Sequence, residues 1–326
     1  MSNDVLLDIK NLTIHYSTDD GVVHAVNDLN LTVSRGETIG LVGETGAGKT
    51  TAALGVLQLV PDPPGKIISG EIILDGEDVV KKKESEMRKI RGNKVSMIFQ
   101  DPMTSLNPVM GVGDQIAEVI LLHNNVSVSE AKVLAGEMLE KVGIGAERAR
   151  EYPHQFSGGM RQRVVIAIAL ACNPVLLIAD EPTTALDVTI QAQVLELMRE
   201  LKEEFNTSMI MITHDLGIVA EICDKVAIMY AGEVVEFAEK ADLFKGAKHP
   251  YTIGLFASIP DIKKDDDTLK PIKGLMPDPS NLPTGCPFHP RCDKAMPECS
   301  KSTPENISLG NDHFVKCLLY SEQGVK

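Results

Sequence analysis

The fold is decided by residues 37–60, which read ETIGLVGETGAGKTTAALGVLQLV. Residues 37–42 form a short apolar run that predicts a strand, and residues 49–60 carry apolar side chains at helical spacing. Between them, residues 43–50 fit the pattern G-x-x-x-x-G-K-[ST], in the strand, loop and helix context that the pattern requires. Glycines let a backbone wrap around phosphates, so that its N–H groups and the positive end of the next helix face the anion. The stretch predicts a phosphate-binding loop in an α/β fold.

The same loop supplies the side chains that a triphosphate and its metal ion need. Lys49 reaches the β- and γ-phosphates, and Thr50 offers a hydroxyl to Mg²⁺, a hard ion that prefers oxygen ligands. We therefore expect Lys49 to act in catalysis as well as in binding. The residues assigned to nucleotide binding in this stretch are Gly43, Glu44, Thr45, Gly46, Ala47, Gly48, Lys49, Thr50 and Thr51.

A second apolar strand ends in two carboxylates. Residues 175–181 read VLLIADE, and ligands of α/β folds bind at the carboxyl ends of such strands. Successive side chains of a strand point in opposite directions, so the two carboxylates separate. We predict that Asp180 faces the magnesium ion through water and that Glu181 polarises an attacking water as general base.

The remaining pattern alternates strands with helices. Residues 5–16 and 22–33 predict an antiparallel pair, and the order strand, helix, strand returns after residue 173, which builds a parallel sheet flanked by helices. Pro260, Pro271, Pro277, Pro279 and Pro283 mark a linker before the cysteine-rich end. The expected division is a nucleotide-binding core in two parts, 1–100 and 173–245, a helical subdomain at 101–172, and a linker with a C-terminal domain at 246–326.

Composition and charge narrow the function classes. The chain has 326 residues, 43% hydrophobic and 24% charged, which is typical of a folded protein of about two domains. Its net charge of −14 argues against broad contact with a nucleic-acid backbone, which needs a basic face. No apolar run approaches the roughly 20 residues of a spanning helix, and no secretory signal is visible. We expect a cytosolic chain without disulfides and without a nucleic-acid partner.

A second anion site is predicted at Ser157-Gly158-Gly159, at a helix start with Ser157 as N-cap. Two phosphate sites and one nucleotide suggest a dimer, in which this stretch of one chain closes over the γ-phosphate held by Lys49 of the other. With these residues the sequence resembles the nucleotide-binding domain of ATP-binding cassette (ABC) transporters. The matching residues, in that family's order, are Gln100, Ser157-Gly158-Gly159, Asp180-Glu181, Ala185-Leu186-Asp187 and His214.

The resemblance implies ATP as the nucleotide and gives roles to further residues. Gln100 would contact Mg²⁺ and sense a membrane subunit, and Asp187 would bridge the two chains. His214 would stabilise the γ-phosphate, since an imidazole donor can face the charge that develops there. Tyr16 resembles the aromatic residue that stacks on adenine in this family.

The expected architecture is therefore α/β. It consists of a P-loop ATPase core with a mainly parallel sheet, an antiparallel β subdomain, an inserted helical subdomain and a small C-terminal cysteine-rich metal-binding domain. Phe156 and Met160 depart from the Leu and Gln that are usual in the family. Neither change removes the hydroxyl or the glycine N–H groups of residues 157–159, so activity is still expected.

Past residue 240 the resemblance narrows to the ATP-binding subunits of the dipeptide and oligopeptide permease group, nearest to its dipeptide branch. The sequence words that carry it are HPYT at 249–252, LPTGCPFHPRC at 282–292 and QDPMTSLNP at 100–108. The resemblance implies an ATPase that energises uptake of di- or oligopeptides, bound peripherally to the cytoplasmic side of the cell membrane. The implied partners are a second, distinct ATP-binding chain, two transmembrane permease subunits and, indirectly, a solute-binding protein.

Four cysteines crowd into the last 41 residues: Cys286, Cys292, Cys299 and Cys317, spaced C-x5-C-x6-C-x17-C. Four thiolates in a cytosolic module suggest a metal site. Zinc more often uses C-x2-C pairs, which are absent, whereas iron–sulfur clusters accept looser spacing. The resemblance implies a [4Fe-4S] cluster, with Zn²⁺ or unligated thiols as alternatives. Such a cluster would staple a segment too small to fold alone, or would sense redox state.

Three other functions stay open at this stage. A soluble ATPase of the same fold that acts on DNA or ribosomes would carry coiled-coil insertions or two cassettes, and this sequence has neither. A redox-responsive switch, with ATP binding as its readout, would depend on the four cysteines. An importer of nickel or another small solute would share every motif described above.

Overall fold

The computed structural model describes residues 5–184, 186–258 and 272–321. Its strands are β1 (Val5–Thr18), β2 (Gly21–Ser34), β3 (Thr38–Val42), β4 (Gly65–Leu74), β5 (Glu77–Asp78), β6 (Val95–Ile98), β7 (Leu176–Asp180), β8 (Ser208–Thr213), β9 (Lys225–Tyr230), β10 (Glu233–Glu239), β11 (Ile307–Gly310) and β12 (His313–Val315). Its α-helices are α1 (Lys49–Val56), α2 (Glu84–Ile90), α3 (Pro102–Ser105), α4 (Val112–His123), α5 (Val128–Lys141), α6 (Gly158–Leu170), α7 (Val188–Glu204), α8 (Leu216–Ile222), α9 (Lys240–Gly246) and α10 (Pro250–Ala257). Short 3₁₀ helices span Ala146–Arg150, Pro153–Gln155, His289–Arg291, Pro297–Ser300 and Leu318–Tyr320. Ala185 of the predicted 185–187 motif, and Pro260 and Pro271 of the predicted linker, lie outside the described residues.

The chain forms two compact units, and the first contains residues 33–38 and 81–212 with the described residues up to Leu6. Its β6, β7 and β8 pair in parallel, and every residue of β7 is buried. A strand covered on both faces has to be apolar throughout, which the run before Asp180 satisfies. Helices α3 to α6 all lie within residues 101–172, so the prediction that this stretch is mainly helical is confirmed.

Side-chain caps fix where the helices of this unit begin. Ser127 and Glu130 form a capping box at the start of α5, and Ser157 accepts a hydrogen bond from the Met160 N–H at the start of α6. Asp187 caps α7 by accepting from the Ile190 N–H at 3.0 Å. The predicted N-cap at Ser157 is thus confirmed.

The second unit contains residues 7–32, 39–80 and the chain from Thr213 onward. One of its sheets has the strand order β2-β1-β4-β5, with β4 antiparallel to β1 and to β5. The predicted neighbours in residues 5–16 and 22–33 are therefore adjacent strands. In its other sheet, β9 lies parallel to β3, whereas β10, β12 and β11 continue in antiparallel order.

The C-terminal strands make the sheet mixed, and this corrects the expectation of a mainly parallel one. The cause is a hairpin between β9 and β10 at Ala231-Gly232, where both residues have positive φ, 48° and 85°. Such a turn usually carries Asn or Asp at its first position, and Ala231 hides that signal. Glu236 of β10 is buried and accepts hydrogen bonds from the Lys248 and His249 N–H groups, which ties the hairpin to the start of α10.

Candidate active site

The phosphate loop is a tight connection between β3 and α1. Gly48 is the N-cap of α1, with a φ of 98° in the left-handed region that favours glycine. A Cβ on Gly48 would stand 2.2 Å from the carbonyl oxygen of Ala25, and one on Gly43 would stand 2.2 Å from that of Met229. Backbone atoms therefore leave no room for a side chain at either position, and at Gly48 the chain conformation also favours glycine.

Lys49 points into the loop that it follows. The residue is buried, and its Nζ donates to the carbonyl oxygens of Gly43 at 2.7 Å and of Glu44 at 3.0 Å. Thr45 and Thr50 are exposed, so this side of the loop is open to a ligand. The loop thus carries an ammonium group, which suits an anion, and next to it in sequence a hydroxyl, which suits a hard cation.

Tyr16 lies on β1 beside the first turn of α1. Its Oη is 3.5 Å from the Oγ1 of Thr51, so two residues assigned separately to the nucleotide are neighbours. A Cβ on Gly65, which pairs with Tyr16 on β4, would stand 2.6 Å from the tyrosine ring. The Tyr16 ring therefore occupies space that a side chain at position 65 would fill.

Glu44 is held by side chains to which the sequence analysis gave no role. Its N–H donates to the Tyr251 Oη at 2.9 Å, and its carboxylate accepts from both Nη atoms of Arg291, at 2.7 and 3.1 Å. These hydrogen bonds raise the pKa of Arg291 further above its usual range. Tyr251 and Arg291 belong to the words at 249–252 and 282–292. Those words carried the family resemblance, and only the folded chain shows what the two residues contact.

Glu181 lies just past β7 in a strained conformation. Its φ is 47°, in the left-handed region, and its N–H donates to the Ile212 carbonyl oxygen at 2.9 Å. One carboxylate oxygen accepts from Gln100 Nε2 at 3.0 Å and from Thr184 Oγ1 at 2.9 Å. The structure therefore brings together two predicted site residues, Gln100 and Glu181, and adds Thr184, which no sequence motif indicated.

Asp180 and His214 lie at the carboxyl ends of β7 and β8. Asp180 is the last residue of β7 and is buried, 4% exposed, whereas His214 follows β8 and is exposed. The capping role at the start of α8 falls to Asp215, whose Oδ1 accepts from the Gly217 N–H at 2.7 Å. His214 is thus not the helix cap, which is the structural role that its position would otherwise suggest.

The glycines of residues 157–159 allow α6 to begin close to α7. A Cβ on Gly159 would stand 2.4 Å from Ile190 Cγ2, so any side chain there would press on α7. Phe156 is buried under the Arg148 guanidinium, 4.4 Å from its ring centroid, and Met160 Sδ contacts the same arginine at 3.6 Å. The two departures from the family pattern therefore share one partner.

The four C-terminal cysteines line one small cavity of about 10 Å³, next to His249 and Phe288. All are free thiols. Burial raises the pKa of Cys286 to about 12 and that of Cys317 to about 11, and the neighbouring thiols add to both shifts. Four sulfur donors around one cavity suit a soft metal, but its volume is that of a single water-sized group.

The predicted metal site is not shown by this arrangement. Within residues 5–184, 186–258 and 272–321, no group of three or more His, Cys, Asp or Glu side chains is placed to hold a metal ion. The cysteines converge as the sequence predicted, but the described side chains do not form a coordination sphere. No helix in the described part of the chain is long and apolar enough to cross a membrane.

Comparison with known proteins places these features in context. Residues 26–184 match the family described as "ABC transporter", and residues 235–299 match "Oligopeptide/dipeptide transporter, C-terminal region". The chain is 52% identical to the oligopeptide transport ATP-binding protein AppD of Bacillus subtilis (strain 168), over 98% of each chain. It is 51% identical to the oligopeptide transport ATP-binding protein OppD of Escherichia coli (strain K12), over 92% of this chain and 89% of that one.

The fold of this chain is similar to that of a solved ATP-binding cassette. The dimeric post-hydrolysis state of the ATP-binding cassette MJ0796, bound to ADP and Pi, has a TM-score of 0.65 and 28% sequence identity. The match covers 72% of this chain and 99% of that one. The shared part is thus the whole of the cassette, and the remainder of this chain lies beyond it.

Proposed function

The chain belongs to the ABC transporter ATPases that carry the oligopeptide/dipeptide transporter C-terminal region, and we propose that it hydrolyses ATP to drive the import of oligopeptides. The observation that carries this proposal is the presence of both family regions on one chain. Over nearly its whole length, this chain is also 52% and 51% identical to two proteins named for oligopeptide transport. Dipeptides are included in the proposed cargo. Because no part of this chain would contact the peptide, the cargo is inferred from the relatives and not from a site.

ATP binding is proposed to use the phosphate loop, with Lys49 facing the β- and γ-phosphates and Tyr16 stacking on adenine. The Thr50 hydroxyl, the Asp180 carboxylate and the Gln100 amide are oxygen donors of the kind that Mg²⁺ accepts. When bound, Mg²⁺ neutralises charge on the phosphate oxygens. Thr50 is exposed at the start of α1, so its hydroxyl can reach a ligand.

Glu181 is proposed as the general base that accepts a proton from the attacking water. Gln100 and Thr184 donate hydrogen bonds to this carboxylate and orient it. The strained φ supports this role, because strain concentrates at functional sites. His214, exposed at the end of β8, is proposed to stabilise charge on the γ-phosphate.

We propose that a second ATP-binding chain completes the site. The residues Ser157-Gly158-Gly159 begin α6, where N–H groups and the helix dipole favour an anion. Asp187 already caps α7 within its own chain, and it would in addition contact the partner. The dimeric state of the related cassette MJ0796 supports this arrangement, and the second chain is proposed to be similar but distinct.

The proposed partners beyond that chain are two transmembrane permease subunits and a solute-binding protein, with this chain at the cytoplasmic face of the membrane. The test is co-purification with the permease subunits, followed by peptide uptake into reconstituted vesicles. Uptake that requires ATP and is lost in Glu181→Gln supports the proposal. Uptake of nickel in place of peptides would change the assigned cargo from peptides to nickel. ATPase activity stimulated only by DNA or ribosomes would overturn the transport function.

We also propose that the four cysteines hold a [4Fe-4S] cluster. Its support is the convergence of all four thiols on one cavity, together with their loose spacing. Loading would displace the thiol protons and would widen the small cavity. A cluster there would cross-link Cys286 to Cys317 and so staple the C-terminal segment.

Anaerobic purification with iron and sulfide assays tests the cluster. About four irons and four sulfides per chain support it, and a matched chain with Cys172→Ser, a cysteine outside the cavity, should keep them. Stoichiometric zinc without colour would replace the cluster by the zinc alternative. A redox-sensing role would require ATPase activity to change on oxidation of the loaded protein.

A further inference from the structure

A buried arginine from the C-terminal segment reaches the phosphate loop. Arg291 has only 5% of its side chain exposed, and its Nη1 and Nη2 donate to the two carboxylate oxygens of Glu44. Its Nε donates to the Lys273 carbonyl oxygen at 3.0 Å. All three guanidinium nitrogens are engaged, and the paired contact to Glu44 has the fork geometry of a strong arginine–carboxylate interaction.

The surroundings of Arg291 fix its position. It ends the 3₁₀ helix His289–Arg291, and its N–H donates to the Phe288 carbonyl oxygen at 3.0 Å. Tyr230, Tyr251 and Phe288 pack their rings together at centroid distances of 4.6 to 5.4 Å. The guanidinium lies 5.8 Å from the Tyr230 centroid and 6.0 Å from that of Phe288. The arginine is therefore held by a packed aromatic cluster.

The charge of Glu44 is the reason why this contact affects the nucleotide. Glu44 places a carboxylate in the loop that has to accept a triphosphate, and like charges at short range repel. We infer that Arg291 sets the affinity of the phosphate loop for ATP, because it neutralises Glu44 and holds that carboxylate in place. Arg291 acts through Glu44 and is a positioning residue for ATP binding.

A separate contact anchors the backbone of the loop. The Tyr251 hydroxyl accepts the Glu44 N–H at 2.9 Å, and this hydrogen bond does not involve the Glu44 side chain. Substitutions at Glu44 or Arg291 therefore leave one anchor of the loop backbone in place. The effect of charge can for this reason be measured separately from the effect of loop position.

The test is the equilibrium dissociation constant of a fluorescent ATP analogue with Mg²⁺, measured on the full chain. We expect Arg291→Gln to weaken binding about tenfold, because the Glu44 charge is then uncompensated. Glu44→Gln is expected to tighten binding about threefold, because the positive charge of Arg291 is then no longer offset by the Glu44 carboxylate. The double variant should return to within about twofold of the parent, since both charges are gone.

The opposite signs separate this proposal from a purely structural role. If the ion pair only stabilised the fold, Arg291→Gln and Glu44→Gln would both weaken binding, by similar factors. That result, or unchanged binding in Arg291→Gln, would overturn the proposal. Arg291→Lys keeps the charge but loses the fork, and binding within about threefold of the parent is expected.

Two controls keep the result interpretable. Arg199→Gln removes a guanidinium from an exposed pair with Glu196 and should leave binding unchanged. The thermal midpoint of each variant reports whether it folds, and Arg291→Lys covers the case in which Arg291→Gln does not. If the parent chain itself binds no ATP, the proposed function fails; if it binds and the signs agree, only this inference fails.

Discussion

Glu181 and Glu44, which lie in different units of the chain, differ in the charge of the side chains that donate hydrogen bonds to them. Glu181 accepts hydrogen bonds from Gln100 and Thr184, whose side chains are neutral. Glu44 accepts from the buried guanidinium of Arg291, so its charge is compensated. We propose that the Glu181 carboxylate accepts a proton from water, and that the Glu44 carboxylate, paired with Arg291, sets the affinity of the phosphate loop for ATP. The following predictions test this contrast.

The largest effect is expected from Lys49→Ala in the region of Glu44. This change removes the buried ammonium group that lines the phosphate loop. We expect ATP affinity to fall about a thousandfold, or about 4 kcal/mol, as when one partner of a desolvated charge pair is lost. Titration with a labelled ATP analogue measures it. A loss below tenfold would show that the loop binds phosphate without its lysine.

The second prediction concerns how the free energy of unfolding depends on pH. The titrating residue is His249, which contacts Tyr251, the residue that accepts the Glu44 N–H. His249 Nδ1 accepts the Tyr251 N–H at 3.1 Å, and burial lowers the pKa of His249 to about 3. The unfolded chain takes up this proton near pH 6.5, so the stabilisation is complete above that pH and is lost as the pH falls toward 3.

The expected slope from His249 is about 1.4 kcal/mol of unfolding free energy for each pH unit between 6.5 and 4. Denaturant unfolding at several pH values, compared between the parent and His249→Asn, isolates this contribution, because the other titrating groups are common to both chains. The Asn oxygen can replace Nδ1 as acceptor but does not titrate. Identical slopes in the two proteins would contradict the assignment of a neutral, buried His249.

A smaller effect is expected from Thr184→Val in the region of Glu181. The substitution removes one neutral donor and keeps the shape of the side chain, whereas Gln100 still contacts the carboxylate. We expect kcat to fall about fivefold, near 1 kcal/mol, with little change in ATP affinity. Steady-state ATPase assays check this, and a loss confined to affinity would argue that Thr184 does not orient Glu181.

The smallest effect is expected outside both regions. Phe156→Leu with Met160→Gln installs the residues that are usual in the family, at two positions that contact Arg148. Phe156→Leu keeps the buried position apolar and Met160 is only partly buried, so we expect a loss of about 1 kcal/mol of stability. We expect ATPase activity to stay within about twofold of the parent. A larger loss would mean that Arg148 transmits these contacts to the helix start at Ser157.

The phosphate loop and the contacts behind it differ in how well sequence could predict them. The loop's residue types, the apolar strand that ends at Asp180 and the N-cap at Ser157 follow from local patterns, and the structure places them as expected. The pairing of Arg291 with Glu44 joins residues 247 positions apart, and no local pattern carries that information. The β9–β10 hairpin was missed because Ala231 is not a usual residue for its turn.

The cysteines fall between these two cases. Their spacing predicted that they act together, and the structure places all four on one cavity. Spacing does not give the distances between sulfur atoms or the volume that they enclose, because the loops that join them are set by tertiary packing. The identity of the group that they hold is for this reason still a proposal, to be decided by iron, sulfide and zinc assays.

The different roles of the two glutamates can be separated by measuring kcat and ATP affinity for Glu181→Gln and Glu44→Gln in one assay. We expect Glu181→Gln to lower kcat at least about a hundredfold while ATP still binds, and Glu44→Gln to tighten ATP binding. These roles would be contradicted if both substitutions moved the same parameter in the same direction, or if Glu181→Gln turned over at the parental rate.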